Sequence, residues 1–234
     1  MIKNIIYDFY GYNTLLFHYI NNMMSGKKIQ HFFKSLTVLF NIESFAFFYI
    51  LAFGIFFAIV RKTKLDKDKY RAIFNRFFMV GLFYGTTCAA YTILKHVVNL
   101  PRPYCAELTS RVYTIIKTDH ERCLSTFPSA HTAFAMITAY GFWSFTKFFG
   151  KLIIILFVLL VVTSRIALAM HFPADAIYSA LILIWVFKAA EFLYLFLDRD
   201  LVMENTDIGV VTAVGNFAYR ELTGVDLTHT KSDN

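Results

Sequence analysis

The stretch LIIILFVLLVVTSRIALAMHFPAD, residues 152–175, decides how this chain folds. Residues 152–171 are apolar but for a few positions, and about 20 such residues cross a bilayer as a helix. Arg165 interrupts the run, and a charge inside an apolar segment is costly enough to mark a functional position. Pro173 suits the first turn of a new helix, and Phe172 before it is pushed out of helical geometry. His171 therefore falls where one helix stops and Asp175 in the first turn of the next. Such a corner sets an imidazole beside a carboxylate, with a guanidinium close by. An Asp that accepts from one ring nitrogen fixes the tautomer and leaves the other nitrogen free to attack. A guanidinium suits a pair of phosphate oxygens. Taken alone, the trio reads equally well as an ion-paired helix junction.

Outward from this stretch the composition is that of an integral membrane protein. Of 234 residues 57% are hydrophobic, 27 are Phe and only 17% are charged, against roughly 25% charged in soluble domains. The net charge of +7 reads as a topology signal and as contact with anionic membrane lipids. No nucleic-acid motif, metal-spaced Cys cluster, Gly-rich phosphate loop or internal repeat is present, and no cofactor or obligate protein partner is implied.

The expected fold is all-α, a polytopic bundle of six transmembrane helices over residues 1–197, followed by a polar cytoplasmic tail, 198–234. Spans are expected near 4–22, 38–60, 72–98, 128–146, 152–171 and 174–197. The first carries a polar stripe at Asn4, Asp8, Gly11, Thr14, His18 and Asn21, which faces either the bundle or the interface; the alternative is five spans plus an N-terminal interfacial helix. An amphipathic connector follows, with Ile29, Phe32, Phe33 and Leu36 on one face. The loop 61–71 holds six Lys/Arg, and Lys147 and Lys151 lie on the same side, which is therefore cytoplasmic. The connection 99–127 and the corner at 171–174 then face outward. Lys188 and Glu191, three apart on the last span, read as a local ion pair.

Two further motifs share that outer side. In Lys95-His96-Val97-Val98-Asn99-Leu100-Pro101-Arg102-Pro103, Lys95 nears a helix end and Arg102 is held between prolines; alone, both read as interfacial snorkelling. In Pro128-Ser129-Ala130-His131, a helix opening at Pro128 leaves the Ser129 and Ala130 N–H groups free, which is an anion site. Read singly, it is also a capped helix with an interfacial His. Together the three motifs form a cationic pocket with one nucleophile and one acid. No carboxylate cluster is present to hold a divalent metal.

The three motifs resemble the type-2 phosphatidic acid phosphatases, or lipid phosphate phosphatases. That family's pattern is Lys, six residues, Arg-Pro; Pro-Ser-Gly-His; and Ser-Arg, five residues, His, three residues, Asp. Lys95 with Arg102-Pro103, Pro128 to His131, and Ser164-Arg165 with His171 and Asp175 match every spacing. Ala130 replaces the usual Gly, adding a methyl beside the phosphate while keeping the N–H. The resemblance spans about residues 75–197 and implies a six-helix membrane bundle with its site at the membrane surface.

It further implies that His171 attacks phosphorus to form a phosphohistidine, that Asp175 orients it, and that His131 protonates the leaving group and then activates water. Lys95, Arg102, Ser129, Ala130, Ser164 and Arg165 would hold the phosphate, with no metal. The substrate is a lipid phosphate or diphosphate, and the extracytoplasmic ones in the family are undecaprenyl diphosphate, phosphatidylglycerol phosphate and a lipid A phosphate. The expected location is the cytoplasmic (inner) membrane with the site facing the periplasm or exterior. The loop 99–127 is the expected lid, with Arg111, Lys117 and Arg122 reaching either a second phosphate or lipid headgroups. Cys105 and Cys123 in that loop are placed to bridge in an oxidising compartment. A phosphotransferase of the same fold remains a second reading. A transporter would carry its charges near mid-bilayer in related halves, and the spans argue against a soluble haloperoxidase-like enzyme.

Overall fold

A computed structural model describes residues 6–63, 65–106, 108, 111–116, 123–200 and 209–225. Every regular element among them is helical: a 3-10 turn Phe9–Gly11, then α1 Tyr12–Met23, α2 Lys27–Val38, α3 Ile42–Thr63, α4 Lys67–Val98, α5 Ala130–Trp143, α6 Phe148–Ala167, α7 Pro173–Leu195 with a π-helical continuation Phe196–Asp200, and α8 Val210–Thr223. Four helices are long and apolar enough to cross a membrane: α3, α4, α6 and α7 with its extension to Asp198.

The expected spans at 4–22 and 128–146 are realised as shorter helices of 12 and 14 residues. At 1.5 Å per residue these reach only about 18 and 21 Å, short of a hydrocarbon core of about 30 Å. The first is cut short because Phe9, Tyr10 and Gly11 hold positive φ and break the helix before Tyr12. The second starts late because Ser129, in extended conformation, caps it.

The chain divides into two compact units, residues 1–45 with 87–185, and 46–86 with 186–234. In the first, α6 is the hub against which α1, α2 and α5 pack. Its C-terminal carbonyls have no helical partner and need outside donors. The Asn21 amide donates to Ala167 O at 2.8 Å, Gln30 to the same oxygen at 3.1 Å and Thr114 Oγ1 to Leu168 O at 3.0 Å. Asn21 also takes the Tyr113 N–H and returns a bond to its carbonyl. Of the described members of the N-terminal polar stripe Asn21 is buried against protein, and Asn13, outside the stripe, is buried on the same helix. The buried line of α2 is Gln30, Phe33 and Thr37, so Ile29 and Phe32, expected beside Phe33, point outward. Apolar packing around the end of α6 is supplied by Phe17, Ile166, Ala169 and Phe172, and by Phe33, Ala167 and Leu168.

The second unit has an aromatic core of Phe56, Tyr70, Phe74 and Tyr219 with Val60 and Val211. Residues 210–223, read from sequence as part of a polar tail, form a helix that closes this core. The Tyr70 hydroxyl donates to Gly215 O at 2.9 Å, Tyr219 to Leu65 O at 2.8 Å and Arg71 to Asn216 Oδ1 at 3.1 Å. The expected pair on α7 is present, with Lys188 and Glu191 at 2.7 Å.

Candidate active site

All the sequence-designated site residues belong to the first unit. The corner is built by the way α6 stops. Ala169 takes a left-handed conformation at φ 57°, the Met170 N–H returns to Arg165 O at 3.0 Å and the Ala169 N–H to Ile166 O at 3.0 Å. This is the double bond of a Schellman ending, usually made with Gly at the left-handed position. It ends the helix at Ala167, four residues before the apolar run does, and delivers His171 beyond it. Pro173 then opens α7, and Asp175 at its third position reaches back to the Phe172 N–H at 2.8 Å, half of a capping box. Asn13 Oδ1 takes the Ala174 N–H at 2.9 Å.

Asp175 is fully buried, and each of its oxygens is fixed by donors. Oδ2 accepts from Phe172 N–H and from Thr126 Oγ1 at 2.5 Å, and Oδ1 accepts from the Tyr7 hydroxyl at 2.6 Å. His171, 2% exposed, turns Nδ1 to Asp175 Oδ2 at 3.4 Å and to Thr126 Oγ1 at 3.4 Å. Thr126 gives its proton to the carboxylate, so both neighbours of Nδ1 are acceptors. That assigns the ring proton to Nδ1 and leaves the Nε2 lone pair for chemistry. Burial first, then the charges of Arg165, Arg102 and Lys95, hold His171 well below the usual imidazole range. It is neutral at working pH.

Three cations converge here. Arg102 and Arg165 are buried at 8% and 5% exposure, and Lys95 turns inward, donating to Ser125 O at 2.8 Å rather than snorkelling. Arg102 is pinned by Ser125 Oγ at 2.9 Å and, through its own N–H, by Cys123 O at 2.8 Å. Lys95 feels the charges of Arg102, Arg165 and the Asp175 carboxylate. The Arg165 Nε is buried with no hydrogen-bond partner among the described residues. A buried guanidinium N–H left unpaired is expensive, and three cations set against one carboxylate among the described residues form a site for an anion with several oxygens. His131 is within electrostatic reach of the same three cations and of His171. Its Nε2 lies 2.9 Å from Asn41 Oδ1. Among the described residues no group of three or more His, Cys, Asp or Glu gathers as a metal site would.

The second motif differs in detail from expectation. Pro128 precedes the cap instead of occupying the first turn; Ser129 caps α5 and Ala130 begins it. The Ser129 N–H is not free, since it donates to Ser179 Oγ at 2.7 Å. The Ser129 hydroxyl accepts from Thr132 Oγ1 at 2.9 Å. The Ser164 hydroxyl donates to Val161 O at 2.6 Å, a back-bond within its own helix, not a turn toward the cations. Arg111 stacks over the Tyr113 ring at 5.1 Å; Lys117 and Arg122 lie outside the described residues. Cys105 and Cys123 form the expected disulfide. Tyr7, Thr126, Ser125 and Asn41 were not legible as site residues. Thr126 sits two positions before Pro128 and carries a weak positional hint; Tyr7 lies 168 residues from its partner and carries none.

The crystal structure of Aquifex aeolicus LpxE is similar at 25% sequence identity with a TM-score of 0.57, over 76% of this chain and 94% of that one. No curated protein sequence matches. The family model of the PAP2 superfamily matches residues 76–196, which contain all three motifs, and the chain belongs to the PAP2 superfamily.

Proposed function

We propose that this membrane protein hydrolyses a lipid phosphate or diphosphate through a phosphohistidine formed on His171. The observation that carries the reading is the group of half-buried Lys95 and buried Arg102 and Arg165 beside a buried His171 whose Nδ1 faces Asp175 Oδ2 at 3.4 Å. In the first step the Nε2 lone pair forms a bond to phosphorus and the bond to the lipid oxygen breaks. His131, protonated when the negative phosphate binds beside it, gives that oxygen its proton. The Asp175 charge offsets the positive imidazole so created. In the second step His131 takes a proton from water, the water oxygen bonds to phosphorus, and the N–P bond breaks to release inorganic phosphate. Lys95, Arg102 and Arg165, with the Ala130 N–H, stabilise the equatorial oxygens. Charge that a metal supplies in other phosphatases comes here from side chains, so the reaction is metal-independent.

The acyl or prenyl chains stay in lipid while the phosphate enters the site, at the extracytoplasmic face by the distribution of basic loops. Undecaprenyl diphosphate, phosphatidylglycerol phosphate and a lipid A phosphate meet that description. Phosphate release by the purified protein is measured against these lipids, with and without EDTA, beside His171→Ala. Turnover that survives EDTA and is lost in the folded variant supports the reading; wild-type-like turnover by His171→Ala sinks it.

A further inference from the structure

We propose that Tyr7 is a positioning residue for this reaction: its hydroxyl fixes the Asp175 carboxylate so that the other carboxylate oxygen stays on His171. The inference rests on the function proposed above and extends it to a segment outside the matched residues 76–196. A carboxylate rotates readily about its last bond, because that torsion is broad and roughly two-fold. Donors on one oxygen alone leave the plane loosely set. Here Oδ2 is bound by Thr126 and the Phe172 N–H, and Oδ1 by Tyr7 at 2.6 Å. With both oxygens held, the face presented to His171 Nδ1 is determined.

Tyr7 is itself held in place. Its ring meets Phe127 and Phe172 edge-on, with centroids at 6.4 and 6.2 Å. Around it the N-terminal segment is stitched to the catalytic corner: Tyr178 OH donates to Ile6 O, Ala174 N–H to Asn13 and Asn21 to Ala167 O. Phe9 and Tyr10 take left-handed conformations between these points, at φ 47° and 58°. Side chains other than Gly adopt that conformation only where the surroundings over-determine it. Burial, and then the Asp175 charge, push the Tyr7 phenol far above its ordinary range, so it remains a donor wherever the protein is folded.

The test uses the full-length protein and whichever of undecaprenyl diphosphate, phosphatidylglycerol phosphate or a lipid A phosphate the wild type cleaves fastest. Tyr7→Phe keeps the ring and removes the donor. We expect kcat to fall about tenfold with KM within about twofold, the scale of one hydrogen bond to a charged group. In an Asp175→Asn background the same change should cost less than about twofold, because the group through which Tyr7 acts is altered. Fluorotyrosine at position 7 retains the shape and changes only the donor's acidity, and kcat should follow it. Wild-type kcat in Tyr7→Phe, a change confined to KM, or an equal loss in both backgrounds overturns the proposal. His171→Ala separates the two levels. Turnover by that variant defeats the phosphohistidine reading itself, whereas a dead His171→Ala beside an unaffected Tyr7→Phe defeats only the role of Tyr7. Absence of cleavage of all three lipids by the wild type defeats both.

Discussion

Asp175→Asn removes a charge and leaves the shape. The asparagine oxygen belongs at the Oδ2 position, because the Phe172 N–H and the Thr126 hydroxyl both donate there. Its amide then faces Tyr7, whose hydroxyl can turn to accept. The cap of α7 and the tautomer of His171 therefore survive. What is lost is the negative charge 3.4 Å from Nδ1 at the moment His171 becomes positive. Coulomb's law at an effective dielectric of about 20 gives about 5 kcal/mol for that pair, an upper figure corresponding to about 10³- to 10⁴-fold in rate. Initial rates of phosphate release at saturating lipid, with a thermal melt in the same detergent, separate the charge from the fold. We expect kcat to drop by about three orders of magnitude with the melt little changed. A variant within about tenfold of wild type would refute the reasoning, since the carboxylate would then be a cap and nothing more.

Other expectations follow from the same contacts. Cys105→Ser opens the loop closed by the disulfide, which spans 18 residues; stability should fall by about 3 kcal/mol, and because Cys123 O holds the Arg102 N–H, KM should rise in the same variant, read by melts and Michaelis curves. Arg165→Met removes a buried guanidinium whose Nε has no partner. The phosphate-free protein should melt no lower, while the rise in melting temperature that inorganic phosphate gives the wild type should vanish. His171 stays neutral when folded but takes a proton near pH 6.5 when unfolded, so stability is lost as pH falls below that value. Between pH 6.5 and 5.5 the wild type should lose about 1 kcal/mol more than His171→Asn in detergent denaturation curves.

Much of the site was legible because it is written in local chemistry. Pro173 announces a helix start, Arg165 is a charge in an apolar run, and His171 and Asp175 share one corner; the structure realises that corner. The end of α6 was less legible: an apolar run shows where a helix can continue, and Ala169 turns left-handed without the Gly that would have announced it. Ser129 and Ser164 show what spacing alone does not carry. Both were placed on phosphate by motif, yet one N–H and one hydroxyl go to Ser179 and Val161, because a buried helix end must first satisfy its own polar groups. The α8 packing escaped notice because the apolar residues of 210–223, Val211 and Tyr219 among them, lie within a tail read as a whole as polar. Tyr7 escaped for a deeper reason: contacts between distant segments leave no period or spacing in the chain.

The most direct test is a single turnover with lipid labelled at the scissile phosphate, quenched in alkali to preserve phosphoramidate bonds and mapped by peptide. Label on the peptide bearing His171, formed before phosphate is released, is the expected result. Release of phosphate with no labelled protein at any time point, or label on a different residue, contradicts it.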